Sequence, residues 1–133
     1  MPPHLSVMKA RLGRLVDYHA PRLGIERKNV DAKIVDRMPW PHHCCSGLAT
    51  SMGRTMPAGY IELSRPSIEK HWGFPDWLDD GVVHELMHLT VNEGSRNGRR
   101  VVHGPVFRKK MVAYGYHPTI WGWNHSRRVP ALE

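Results

Sequence analysis

Asp76-Trp77-Leu78-Asp79-Asp80-Gly81-Val82-Val83-His84-Glu85-Leu86-Met87-His88-Leu89-Thr90-Val91-Asn92 is the stretch on which the fold turns. Its apolar residues recur three and four apart, the period of an α-helix, and predict one from Trp77 to about Asn92. Asp76 is the candidate N-cap, with Asp79 three residues later. At roughly 100° per residue, His84 and His88 lie within about 40° of each other. Leu78, Val82, Leu86 and Leu89 fall on the opposite side. The helix is expected to turn an apolar stripe to the core and a histidine stripe to a cleft. The His-Glu-x-x-His spacing sets two imidazoles one turn apart, where they can clamp one Zn2+. Glu85 lies to one side of that face, placed to take a proton from water at the metal.

A catalytic zinc site wants a third protein ligand and one open position. Acids are scarce downstream: after His88 only Glu93 and Glu133 remain. Glu93 is too close along the same helix to swing round the metal, and Glu133 ends the sequence. The candidates are then His103, His117 and His125. His103 is favoured because it opens a second helix, with Gly104 and Pro105 suited to a close approach and a helix start. His117 and His125 lie in a stretch without a regular pattern and read first as surface or loop histidines.

Outward from this centre the pattern is mixed. Leu5, Met8, Leu12, Leu15, Val16 and His19 share one face of an N-terminal helix, closed by Pro21 and Gly24. Lys33–Met38 reads as a strand, Gly47–Met52 as a second, and Ala58–Ser64 as the strongest, ended by Pro66. Gly94–Arg100 reads as a basic loop. The second helix runs from Pro105 to Tyr114 and stops at Gly115. The sum is an α+β, zincin-like domain: an N-terminal helix, about three strands, the His-Glu-x-x-His helix and a helix carrying the third histidine.

The 133 residues fit a single domain, 1–133, with a core of its own. No apolar run is long enough to span a bilayer, so no membrane partner is expected, and the first residues lack the pattern of a secretory leader. The two cysteines, Cys44 and Cys45, are neighbours and poorly placed to bridge, which suggests a reducing, cytoplasmic setting. Charge is uneven. Residues 1–93 hold 11 Lys/Arg and 11 Asp/Glu, whereas residues 94–132 hold eight Lys/Arg and no acid. A basic region after Gly94 is a candidate contact for DNA phosphates, with a solvated face as the plain alternative. His42-His43-Cys44-Cys45 reads as an ordinary loop, since adjacent side chains diverge. Trp40, Trp72, Trp77, Trp121 and Trp123 read as core and rim residues.

Val83-His84-Glu85-Leu86-Met87-His88-Leu89, followed by His103-Gly104-Pro105-Val106-Phe107-Arg108 and Met111, resembles the SprT-like metalloproteases, the family of the Spartan-type enzymes that act on DNA–protein crosslinks. The upstream Tyr60-Ile61-Glu62-Leu63-Ser64 is similar to the strand that precedes the family's active-site helix. The likeness spans about residues 47–115. It implies His84, His88 and His103 as zinc ligands and Glu85 as general base. Many members carry a zinc ribbon with paired CxxC motifs, which this sequence lacks, so the chain resembles a minimal version.

The expected activity is hydrolysis of a peptide bond in a protein or peptide substrate, including proteins associated with nucleic acid. An extended peptide is expected to pair along an edge of the Ala58–Ser64 strand. Tyr114, Tyr116 and Arg99 are candidate oxyanion donors, although a core or surface role is the plainer reading of each. Two other classes fit the same motif: a non-catalytic nucleic-acid-binding module stabilised by zinc, and a zinc hydrolase acting on a non-peptide bond.

Overall fold

The computed structural model describes residues 3–36, 47–51, 57–91, 95–97, 99–100 and 103–118. The first helix, α1, spans Leu5–Arg22 and buries Met8, Leu12, Val16, His19 and Ala20 along one stripe. Pro21 does not close it, as expected from sequence, but sits inside the last turn. The stop lies three residues on. Gly24 takes φ +79°, the Gly24 amide donates to the Pro21 carbonyl, and the Ile25 amide donates to the Ala20 carbonyl at 2.9 Å. This is a Schellman cap, in which a left-handed glycine satisfies the last helical carbonyls and folds the next apolar residue back. Ile25 is accordingly buried.

A mixed three-stranded sheet follows, ordered β1-β3-β2. Strand β1 (Val30–Val35) runs parallel to β3 (Gly59–Ser64) with Val30 opposite Gly59 and Val35 opposite Ser64. Strand β2 (Gly47–Ser51) runs antiparallel to β3, pairing Gly47 with Leu63 and Ser51 with Gly59. The first strand starts three residues earlier than its sequence suggests. The strongest strand of the sequence, β3, is the central one. It is therefore paired on both sides and offers no edge to a peptide, contrary to expectation; among the described residues the outer strands are β1 and β2.

Pro66 does not end structure. It stands in the first turn of a short helix, α2 (Arg65–Lys70), where its missing N–H costs nothing, and the Ser67 amide donates to the Ser64 hydroxyl as N-cap at 3.4 Å. Helix α3 (Pro75–Thr90) starts two residues before the predicted Trp77. Asp76 is not its cap: Pro75 opens the helix and Asp76 lies in the first turn, where a carboxylate complements the amide dipoles. The basic stretch 94–100, expected to be a loop, contains a two-stranded pair, β4 (Ser95–Arg96) and β5 (Arg99–Arg100), with Asn97 at φ 55° in its turn. Helix α4 spans Pro105–Ala113.

The core has two compartments, and α3 separates them. One joins α1, Ile25, Val30, the inward residues Ile61 and Leu63 of β3, Ile68, and Trp77, Leu78, Val82, Leu86 and Leu89 of α3. The other joins Val83 and Met87 of α3 to Phe107, Met111 and Tyr116. Helix α3 is thus covered on two faces, where one apolar stripe and one open cleft were anticipated. Of the tryptophans, Trp77 is core and Trp72 packs at its rim, with the Arg11 guanidinium 3.8 Å above the Trp72 ring. Trp40, Trp121 and Trp123 lie outside the described residues. No described helix is long and apolar enough to cross a membrane.

Candidate metal centre

One turn of α3 and the residue two before α4 bring three imidazoles to a point. Nε2 of His84 lies 3.1 Å from Nε2 of His88, and Nε2 of His103 lies 3.1 Å from each of them. His84 is wholly buried, whereas His88 and His103 are half-buried, so the group has a protein side and a more open side. Gly104 is extended at φ −77°, ψ −175°, and Pro105 then begins α4, which lets His103 reach across to α3 before the helix turns away.

The chemistry of the donors says what such a triangle is for. An imidazole Nε2 is either a donor or an acceptor, never both at once. Three of them in mutual contact cannot satisfy one another, because at least one pair brings two donors or two lone pairs together. A cation resolves the conflict by accepting all three lone pairs. Zinc–nitrogen bonds of about 2.0–2.1 Å at tetrahedral angles space ligand nitrogens about 3.3–3.4 Å apart, close to the separation seen here. The residues fit a divalent metal. Among the described residues no fourth His, Cys, Asp or Glu joins the group.

Phe107 supports the three rings. It is fully buried, stacks on His88 with centroids 4.5 Å apart, and meets His84 and His103 edge-on at 5.1 Å each. Its position one helical turn after His103 was visible in the sequence, but no role could be read from it. Glu85 is also buried, at 1% exposure, directly after His84 and about 100° round the helix from it.

His117, the alternative third ligand, does not belong to the group. His125, the His42–Cys45 cluster and the side chain of Arg99 lie outside the described residues. Tyr114 and Tyr116 are committed elsewhere and do not serve the metal group as oxyanion donors. His19 Nδ1 is 2.8 Å from the Tyr114 hydroxyl, His19 Nε2 is 2.6 Å from Asp79 Oδ1, and the Tyr116 hydroxyl donates to Asp79 Oδ2 at 2.9 Å. The tautomer with its hydrogen on Nε2 serves all of these: His19 donates to Asp79 and accepts from Tyr114. Burial pushes the Tyr114 phenol above its ordinary pKa; Tyr18 and Asp79 add to the rise, and Arg22 opposes it. This network had no signal in the sequence beyond the separate residues, because His19 and Asp79 are 60 positions apart.

Fold and site together define an α+β domain with a three-histidine group able to hold a metal ion. Comparison of the chain with protein-family models, curated proteins and solved structures returns no match in any of the three.

Proposed function

We propose that the chain is a zinc-dependent metallopeptidase of the SprT-like kind, with His84, His88 and His103 as ligands and Glu85 as general base. The observation that carries this is the 3.1 Å triangle of Nε2 atoms, two of them from one turn of α3, a helix that also supplies the buried carboxylate of Glu85 next to His84. Three imidazoles suit several first-row metals; zinc is chosen because hydrolysis needs a Lewis acid and no redox change. When bound, zinc supplies the polarisation of a carbonyl oxygen and the acidification of water.

The chain's own groups do the rest. The three histidines would hold the ion through their Nε2 lone pairs, with Phe107 packed against their rings. Glu85 accepts the proton of the attacking water and returns it to the leaving amine nitrogen, so one carboxylate acts as base and then as acid. Its place inside the fold keeps bulk water from competing for that proton. Helix α4 starts two residues after the third ligand and exposes Arg108, Lys109 and Lys110, which supports substrates bound to nucleic acid. A cytoplasmic, reducing setting is part of the same proposal.

The test separates base from ligand. Purified protein should carry about one equivalent of zinc by elemental analysis and hydrolyse an unstructured protein substrate. Glu85→Gln should keep the zinc and lose at least about a hundredfold in hydrolysis, at the low end of the factor general acid–base groups contribute. His103→Ala should lose both. Full activity in Glu85→Gln would remove Glu85 from the mechanism, and a zinc-free, fully active protein would remove the metal.

A further inference from the structure

The His19–Asp79–Tyr114–Tyr116 network takes no part in the chemistry above, yet it binds together the three elements whose relative placement decides whether the metal site exists. His19 is on α1, Asp79 is on α3 five residues before His84, and Tyr114 and Tyr116 immediately follow α4. Helix α4 begins two residues after His103, which lies beside His84 and His88; its Met111 packs with Val83 and Met87, and Tyr116 just beyond its end reaches Asp79. It therefore runs back along α3 and is held at both ends: by the histidine group at its start and by the tyrosines at its finish.

The second hold is built into the backbone. Gly115 adopts φ +90°, its amide donates to the Val112 carbonyl, and the Tyr116 amide donates to the Met111 carbonyl, each at 2.9 Å. This Schellman cap reverses the chain within two residues and brings the Tyr116 ring alongside that of Tyr114, with centroids 5.4 Å apart and planes 26° from parallel. Both hydroxyls consequently face the same His–Asp pair. His19, 3% exposed, has both ring nitrogens engaged and three tyrosine rings packed edge-on around it. A buried polar network of this kind, once satisfied, accepts one arrangement of its elements and penalises others.

We propose that His19, Asp79, Tyr114 and Tyr116 are positioning residues for the metal centre: they lock the far end of α4 onto α3 and α1, so that His103 is already delivered to His84 and His88 before metal arrives. The inference rests on the histidine triangle being a metal site. Its physical content is a population. Three ligands on one rigid scaffold bind a cation with the full strength of the set. If α4 is docked only part of the time, the apparent dissociation constant rises by the inverse of the docked fraction.

The experiment uses the full chain and three variants. Tyr114→Phe removes one hydroxyl from a half-buried ring; Tyr114→Phe with Tyr116→Phe removes both and keeps the stacked pair. Val30→Ala, in the other core compartment, is a control that lowers stability without touching α4. Zinc affinity is measured by competition with a chromophoric chelator, under conditions where circular dichroism shows every variant folded. Hydrogen exchange of the α4 amides is followed with and without zinc. The double variant should bind zinc about tenfold more weakly, with faster exchange in α4 of the metal-free protein that zinc restores, and the single variant should lie between. The control should match the wild type in both readouts. Unchanged zinc affinity in the double variant overturns the proposal even if α4 exchange rises, since the network is then a scaffold only. An equal loss in Val30→Ala overturns it as well. Wild-type protein that takes up no zinc fails the metal reading itself, which is a different result from tight binding shared by all variants.

Discussion

At the scale of single residues, Phe107 carries more of the site than its chemistry suggests. It donates nothing and accepts nothing, but its ring is the surface against which all three imidazoles rest. Shortening it to Leu leaves an apolar side chain in the second core compartment and removes the flat face under His88. The expected cost in stability is moderate, about 1–2 kcal/mol, because volume is lost at a fully buried position. The expected cost in zinc affinity is several-fold, because the ligand rings regain rotational freedom. Urea unfolding of the metal-free protein and a zinc titration measure the two effects apart; an undiminished affinity would make Phe107 a core residue and nothing else. Tyr114 permits a second check. Its phenol pKa is raised by burial, so in the folded state the proton is held more tightly than in the unfolded chain. That contribution to stability is complete below the ordinary tyrosine range and is lost as pH rises through the elevated value. Tyr114→Phe should therefore remove a component titrating above pH about 10 from the ultraviolet tyrosinate curve and flatten the alkaline fall in stability.

At the scale of elements, the two Schellman caps do similar work at the ends of α1 and α4, and one of them isolates the backbone term. At Gly24 an added Cβ would meet nothing within 4 Å, so the penalty for Gly24→Ala comes from the φ of +79° alone. Roughly 1–2 kcal/mol is expected, read as a lower urea midpoint with an unchanged slope. A neutral outcome would mean that the turn relaxes without loss. The caps also show where the sequence was legible. Gly24 and Gly115 both punctuate helices, as their residue type suggests, and the His84–His88 pair could be placed on one helical face from spacing alone. Local chemistry sufficed there. It did not suffice for Pro66, whose absent N–H is as compatible with the first turn of a helix as with the end of a strand. Nor could it place β3 at the centre of the sheet, since strand order depends on partners far away in the chain. From its sequence α3 looks one-sided, because Val83 and Met87 resemble ordinary apolar neighbours of a ligand face. Only the return of α4 shows that they belong to a second compartment.

At the scale of the whole molecule, basic charge lies close to the candidate metal centre, because α4 begins two residues after His103. Helix α4 leaves the histidine group and carries Arg108, Lys109 and Lys110 outward, with no acidic residue on it. The sequence around it, residues 94–132, adds five further basic residues and no acid. If this face meets a nucleic-acid backbone, binding must weaken with salt, because each neutralised phosphate releases condensed counterions. Replacing Arg108, Lys109 and Lys110 together by Gln removes three charges from exposed positions and leaves Phe107 and Met111 in place, so fold and zinc content should be unchanged. The logarithm of the binding constant for duplex DNA falls linearly with the logarithm of salt concentration, with a slope near −0.9 per phosphate contact. The triple variant should make that slope shallower by up to about 2.7, three contacts at 0.9 each, and lose affinity alike for unrelated sequences, as expected of phosphate contacts that carry no base readout. Fluorescence anisotropy between 50 and 200 mM salt is sufficient to resolve it. An unaltered slope would assign these charges to a solvated surface. Hydrolysis of a free peptide should be indifferent to the substitution, whereas hydrolysis of a DNA-bound protein should fall with the affinity, because only the second substrate is gathered to the site by its nucleic acid.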